Sequence, residues 1–304
     1  MIRFIKKALI AIFITLVLLY LFVPALMVFP LALSTSPFLQ FPPPGFSFGW
    51  YSQFFADSTW TSALIRSLEV GLSVAIIATI IGGVTAYYVA RRKNVAARIL
   101  EPIIIVPLAV PIIVFGLGFY TIALSLGLVG SLWLLALAHS ALALPFSYIN
   151  FRVGFSTINP RLEMAAQSLG ARPANAFLRV VLPLLVPTIL ASLILSFIIS
   201  IDETVVALFI TGSNAPTLPV EMFTSINYNL NPLVPVAGTI ILLLTIIGVL
   251  ATLILRWITR SLVGVRGRES IDGMGTIEAA QADREDRDSD GYDWRGAGRS
   301  ARVP

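Results

Sequence analysis

Apolar residues in this chain come in long runs rather than in the alternating or one-sided patterns of water-facing elements. Six runs, about 8–33, 63–90, 99–126, 132–151, 184–211 and 233–255, carry little charge. A hydrocarbon core about 30 Å thick takes roughly 20 residues of helix, so each run predicts a membrane-spanning helix. The first follows Arg3, Lys6 and Lys7, as in a signal-peptide n-region. Its 26 charge-free residues are too long for a signal h-region, and no clear A-x-A site ends it. It is read as an uncleaved anchor.

The polar segments fix the orientation. Arg3, Lys6 and Lys7 precede run one; Arg91, Arg92, Lys93 and Arg98 lie between two and three. Arg152, Arg161, Arg172 and Arg179 lie between four and five, and Arg256 and Arg260 follow six. The alternate loops, about 34–62, 127–131 and 212–232, have no Lys or Arg. By the positive-inside rule both termini are cytoplasmic. The division expected is a first helix with its outer loop (1–62), a transmembrane core (63–260), and a tail (261–304). Residues 266–304 hold nine acidic and seven basic residues with almost no aliphatic clusters, which predicts a disordered cytoplasmic tail.

Composition agrees with a lipid-embedded chain. Of 304 residues, 57% are hydrophobic and 12% charged, against about 25% charged in soluble domains. The sequence pI near 9.7 follows from the cytoplasmic cations, so no nucleic-acid partner is called for. With no Cys there is no disulfide framework, thiolate metal site or cysteine nucleophile. Phosphate-cradle, zinc-hydrolase and serine-hydrolase motifs are absent. The chain does not hydrolyse ATP by itself.

The outer segment 42–55, PPPGFSFGWYSQFF, fits an interfacial aromatic belt and also a docking surface for an external partner. On the inner side, Asn159-Pro160 is a helix start, RLEMAAQSL continues it, and Gly170 is a left-handed stop. Pro173 can open a second helix. The small face of Ala165, Ala166 and Leu169 suits either close approach by another protein or packing on the membrane domain. The helix pair covers about 159–183.

These inner residues resemble the cytoplasmic signature of permeases in binding-protein-dependent ABC importers: EAA, three residues, Gly, nine residues, I-x-L-P. Gly170 is followed after nine residues by Val180-Val181-Leu182-Pro183. The triplet is Met164-Ala165-Ala166, so Met stands in the family's Glu slot and Glu163 is displaced by one. The resemblance implies an all-α type I importer permease (MetI-like) fold with six spans in a bacterial plasma (inner) membrane. It implies cytoplasmic coupling helices at about 159–183, with an ATPase-coupling role for Glu163, Met164, Ala165, Ala166, Gly170, Leu182 and Pro183. It also implies that ATP and Mg²⁺ belong to a partner ATPase dimer, with no cofactor on this chain. The other partners implied are a homologous second permease, an external substrate-binding protein and membrane lipid. The runs SFIISIDETVVALFITG and TLPVEMFTSINYNLNP resemble the second permease of spermidine/putrescine importers. Permeases for iron(III), opines or aminoethylphosphonate share parts of that pattern.

Inside the predicted spans, Asp202 lies about 27 Å along a helix starting near Leu184. Asp202 and Glu203 are candidates for lining the substrate pathway, since intramembrane carboxylates need a cavity or a partner. Thr188, Ser192, Ser196, Ser200 and Thr204 recur every four residues. That stripe reads as close helix packing, with Ser196 and Ser200 also pathway candidates. Arg66 and Glu69 are spaced to pair, and His139 reads as a helix–helix hydrogen bond. A secondary transporter or channel would explain the spans but not the cytoplasmic signature; a membrane enzyme lacks a nucleophile–base set.

Overall fold

Seven small residues set how closely the central helices pack. Helix α4 spans Ser58–Arg91, 34 residues or about 51 Å, enough to cross a bilayer with turns to spare. Its buried positions Ala63, Ser67, Gly71, Ala75, Ala78, Gly82 and Ala86 fall every three or four residues and form one narrow stripe. Such a stripe lets neighbouring backbones approach where lipid supplies no hydrophobic drive between helices. Asp57 starts the helix: its carboxylate accepts the Thr59 N–H at 2.8 Å and the Trp60 N–H at 3.4 Å. Against α4 pack α7 (Leu132–Thr157) and α10 (Leu182–Ile201), which also pack on each other.

The computed structural model describes residues 2–92, 94–212, 215–228 and 231–255. The chain divides into a unit of residues 1–252 and a second unit of residues 253–304, described only through Leu255. The tail read as disordered, 261–304, lies outside the described residues. The described elements are helical, with a single isolated bridge, Ser34 to Phe46. Helices α1 (Ile2–Leu26) and α2 (Val28–Ala32) form the first span, and α3 (Gly49–Ala56) lies on its outer side. The last span is Leu233–Leu255, where the sequence placed it.

Two spans differ from the sequence reading. The run 99–126 is not one straight helix. Helix α5 (Val95–Ile105) tightens into a 3-10 turn at Val106–Ala109, and α6 (Ile112–Leu126) leaves at 103°. Pro107 and Pro111 account for the break. Each removes a backbone donor, and Pro111 holds Val110 extended at ψ 126°. The fifth span starts earlier and stops earlier than 184–211. Helix α9 (Pro173–Ala176) runs through a π-helical turn at Phe177–Val181 into α10. No glycine interrupts 173–201, so the second cytoplasmic helix is the foot of the span. Its widened turn lies just before Pro183, which has no N–H to give. The span ends at Ile201, and α11 (Val205–Thr211) is separate.

Three apolar clusters hold the unit together. The outer one joins Phe54 of α3 and Trp60 of α4 to Leu218, Leu233 and Val236. Trp50 and Tyr51 pack against it, and the Tyr51 hydroxyl meets Thr239 Oγ1 at 2.8 Å. Thus part of the aromatic outer segment is core, while Phe46, Phe48 and Phe55 stay exposed. A middle cluster unites α4, α6, α7 and α11 with α12 (Leu218–Tyr228). The cytoplasmic cluster gathers Ala86, Tyr148, Phe151, Phe155, Val181 and Leu185.

The hydroxyl stripe belongs to this packing. Ser192 and Ser196 are fully buried and Ser200 is 5% exposed. Asn150 of α7 donates to Ser192 Oγ at 2.8 Å, and His139 Nδ1 lies 3.0 Å from Ser200 Oγ. At Gly154 a Cβ would come within 2.6 Å of Thr188 Oγ1, so only glycine permits this approach of α7 to α10. Ser196 and Ser200 therefore face helix packing, not open space. Arg66 does not pair with Glu69 either: its Nη1 donates to the Pro216 carbonyl at 3.2 Å.

Candidate functional site

The cytoplasmic helix α8 (Pro160–Ser168) is built by local chemistry. Asn159 caps it, accepting the Arg161 N–H at 3.0 Å, and Pro160 supplies a preset first turn. At the other end Gly170 has φ +91°. The Gly170 N–H donates to the Gln167 carbonyl at 2.9 Å and the Ala171 N–H to the Ala166 carbonyl at 3.1 Å. That pair of bonds is the Schellman stop. Only the first of the two expected cytoplasmic helices is free-standing.

Burial separates the two faces of α8. Leu162, Met164 and Leu169 are 46%, 55% and 90% exposed, and Ala165 is exposed beside them. This apolar surface is open, with Gln167 and Ser168 exposed beside it. Ala166 is half-buried, and Glu163 points inward at 7% exposure. Glu163 Oε1 accepts the Tyr87 hydroxyl at 2.6 Å, and Oε2 takes the Arg91 Nε–H at 3.0 Å. Tyr87 and Arg91 close the cytoplasmic end of α4, with the Arg91 guanidinium 5.8 Å from the Tyr87 ring centroid. An open cavity of about 500 Å³ lies alongside, lined by Tyr88, Arg92, Met164 and Gln167 among others. Leu182, half-buried, and Pro183, exposed, open α10 just beyond the π-helical turn.

The span-five carboxylates occupy a helix break rather than a continuous helix. The Asp202 N–H still reaches the Ile198 carbonyl at 3.2 Å, but Glu203 turns back to Ser200. Glu203 Oε1 then accepts the Val206 N–H at 2.8 Å and caps α11. Side chains that compete for backbone donors end helices in this way. Asp202 is exposed and lines an open cavity of about 550 Å³ with Thr204, Met222, Phe223 and Thr245 among others. The two carboxylates thus divide the work: Glu203 holds backbone, and Asp202 faces space. Sequence reasoning did not single out Met222 and Phe223 of α12 or Thr245 of the last span, which meet at this cavity only in the folded chain. Tyr87 and Arg91 were missed as well; the one available signal was a cation at the end of a span opposite a cytoplasmic acid.

Stacked spans, a capped helix exposed on the cytoplasmic side and a cavity at a broken span define a class, that of polytopic membrane-transport components. Residues 78–264 match the family described as binding-protein-dependent transport system inner membrane component, and the chain belongs to that family. It is a multi-pass transport subunit of the inner membrane and not an enzyme. It is 28% identical over 213 residues to the spermidine/putrescine transport system permease protein PotC of Haemophilus influenzae, which covers 70% of this chain and 83% of that protein. Over 81 residues it is 38% identical to the putrescine transport system permease protein PotI of Escherichia coli K12, 27% of this chain and 29% of that one. The fold matches a crystal structure of a bacterial ABC transporter involved in the import of the acidic polysaccharide alginate. That match has TM-score 0.59 and 16% identity, and covers 84% of this chain and 96% of the other.

Proposed function

We propose that this chain is a permease of an ATP-driven polyamine importer, moving a cationic substrate delivered by an external binding protein. The observation that carries the reading is the likeness to a spermidine/putrescine permease over most of both chains. The exposed Asp202 in its cavity beside Phe223 supports it. A carboxylate and an aromatic face both attract an ammonium group. The chain works beside a homologous permease on two ATPase subunits, which hold ATP and Mg²⁺. Helix α8 docks on an ATPase subunit through Leu162, Met164, Ala165 and Leu169, and Gly170 sets where that face ends. Closure of the ATPase pair then moves α8 and the spans attached to it as rigid bodies between inward- and outward-open states.

The test is reconstitution of the complete complex in proteoliposomes with its binding protein. Spermidine or putrescine should stimulate ATP hydrolysis and accumulate in the vesicles. Stimulation by iron(III), an opine or aminoethylphosphonate, with none by polyamines, would overturn the substrate assignment.

A further inference from the structure

Helix α8 is tied covalently to the membrane unit at both ends, through Ile158-Asn159 to α7 and through α9 and the π-helical turn to α10. A further tie, made by side chains alone, is the buried cluster on its inner face. The close backbone neighbours of α8 are α9 and that turn, so its link to α4 runs through side chains that reach across. Glu163 and Arg91 are 72 positions apart in sequence, and Glu163 is over nine-tenths buried.

The cluster lies where four elements converge. The Tyr87 ring, from α4, is 4.8 Å from Phe177 in the π-helical turn and 5.6 Å from Phe155 in α7. The Glu163 carboxylate receives one hydrogen bond on each oxygen, both from α4. A buried ion pair of this kind resists separation, because parting the groups leaves an uncompensated charge. Displacing α8 by even a few ångströms therefore requires α4 to follow or the pair to break. Helix α4 is the longest in the unit and packs on both α7 and α10, so a pull on its end reaches the bundle's centre.

We propose that Glu163, Arg91 and Tyr87 form a side-chain coupling linkage, beside the covalent ones to α7 and α10, that transmits movement of α8 directly to α4. In this chain Glu163 is a positioning residue that faces its own membrane domain, while Met164 presents the apolar contact outward. The proposal rests on the importer reading above. The covalent links hold α8 at its two ends and leave it free to roll about the line between them; the bonds from Glu163 to Arg91 and Tyr87 remove that freedom, so movement of α8 carries α4 with it.

The readout is substrate taken up per ATP hydrolysed by the complete reconstituted complex, which a merely structural role would not move. Glu163→Gln keeps the shape and removes the charge, and should lower that ratio roughly fivefold or more. Tyr87→Phe keeps the ring against Phe155 and Phe177 and should lower it less. The chain has no cysteine, so a Glu163→Cys/Arg91→Cys pair can be bridged with a short bis-maleimide. Bridging should restore the ratio that the unbridged pair loses. If Glu163→Gln does not assemble, Tyr87→Phe and the cysteine pair decide on the same ratio. A wild-type ratio in an assembled Glu163→Gln complex, or in the unbridged cysteine pair, overturns the linkage. Absence of ATP-dependent uptake by the unsubstituted complex would instead overturn the importer reading.

Discussion

Replacing Gly170 by Val should weaken coupling without loosening the membrane bundle. The residue holds φ +91°, where an L-residue is about 1–2 kcal/mol worse off than glycine, and a β-branched one is worse placed still. A Cβ built at Gly170 meets nothing within 4 Å. The cost is therefore conformational and falls on the stop itself, with no clash to spread it. One to two kcal/mol corresponds to roughly a 5–30-fold shift in an equilibrium. The bonds at risk are Gly170 N–H to Gln167 and Ala171 N–H to Ala166, and opening them frees Leu169 from its exposed position at the end of α8. Substrate-stimulated ATP hydrolysis should drop by a similar factor, while the melting temperature of the detergent-solubilised complex barely changes. Gly170→Asn is the control, since Asn tolerates the left-handed region and should stay near wild type. Equal stimulation in the Val and Asn variants at equal expression would refute the claim that this turn sets the docking face.

Asp202→Asn should lower the initial rate of polyamine uptake in proteoliposomes about tenfold, whereas Glu203→Gln, which keeps an acceptor for Val206, should act mainly by lowering stability about 1 kcal/mol; the reverse order would contradict the division of roles. Gly154→Ala should destabilise by about 1–3 kcal/mol through overpacking, read as a lowered melting temperature, and Thr188→Ala in the same chain should recover part of it. Glu101 and Arg152 pair at 3.2 Å but are 38% and 40% exposed, so Glu101→Gln should change stability by less than about 1 kcal/mol in the same thermal assay.

The sequence spoke most clearly where one short stretch contains its own cause. Asn159, Pro160 and Gly170 each act on backbone groups within three or four residues, and the helix they bound is found between them. The last span also fell where its apolar run put it. The break at Asp202 was not legible, because apolar residues flank it on both sides and no proline or glycine announces it. What ends α10 there is Glu203 choosing the Val206 N–H, a choice two carboxylates in a row do not reveal. The inward turn of Glu163 was hidden for a different reason. Its partners lie on another helix, and a one-residue offset from a family signature says nothing about facing. The hydroxyl stripe was read as packing, and that reading describes where Ser192, Ser196 and Ser200 sit.

The pairing of His139 with Ser200 bears on how the chain is made. The first span, Leu9–Ala32, is the most apolar of the straight spans and its most apolar stretch is unburied, whereas α7 is the least apolar and the most buried. A helix like α1 leaves the insertion channel for lipid unaided, since each aliphatic residue favours the transfer. Helix α7 carries His139, Ser140, Ser147 and Asn150, and polar groups in lipid are costly until they meet partners. Synthesis proceeds from the N-terminus, so α4 is already available to shield one side of α7. Ser200 comes 61 residues after His139, and Ser192 comes 42 after Asn150. During that interval the nascent chain holds a half-shielded polar face at the channel or against a membrane chaperone. That interval ends when α10 closes over α7 and pairs His139 with Ser200 and Asn150 with Ser192.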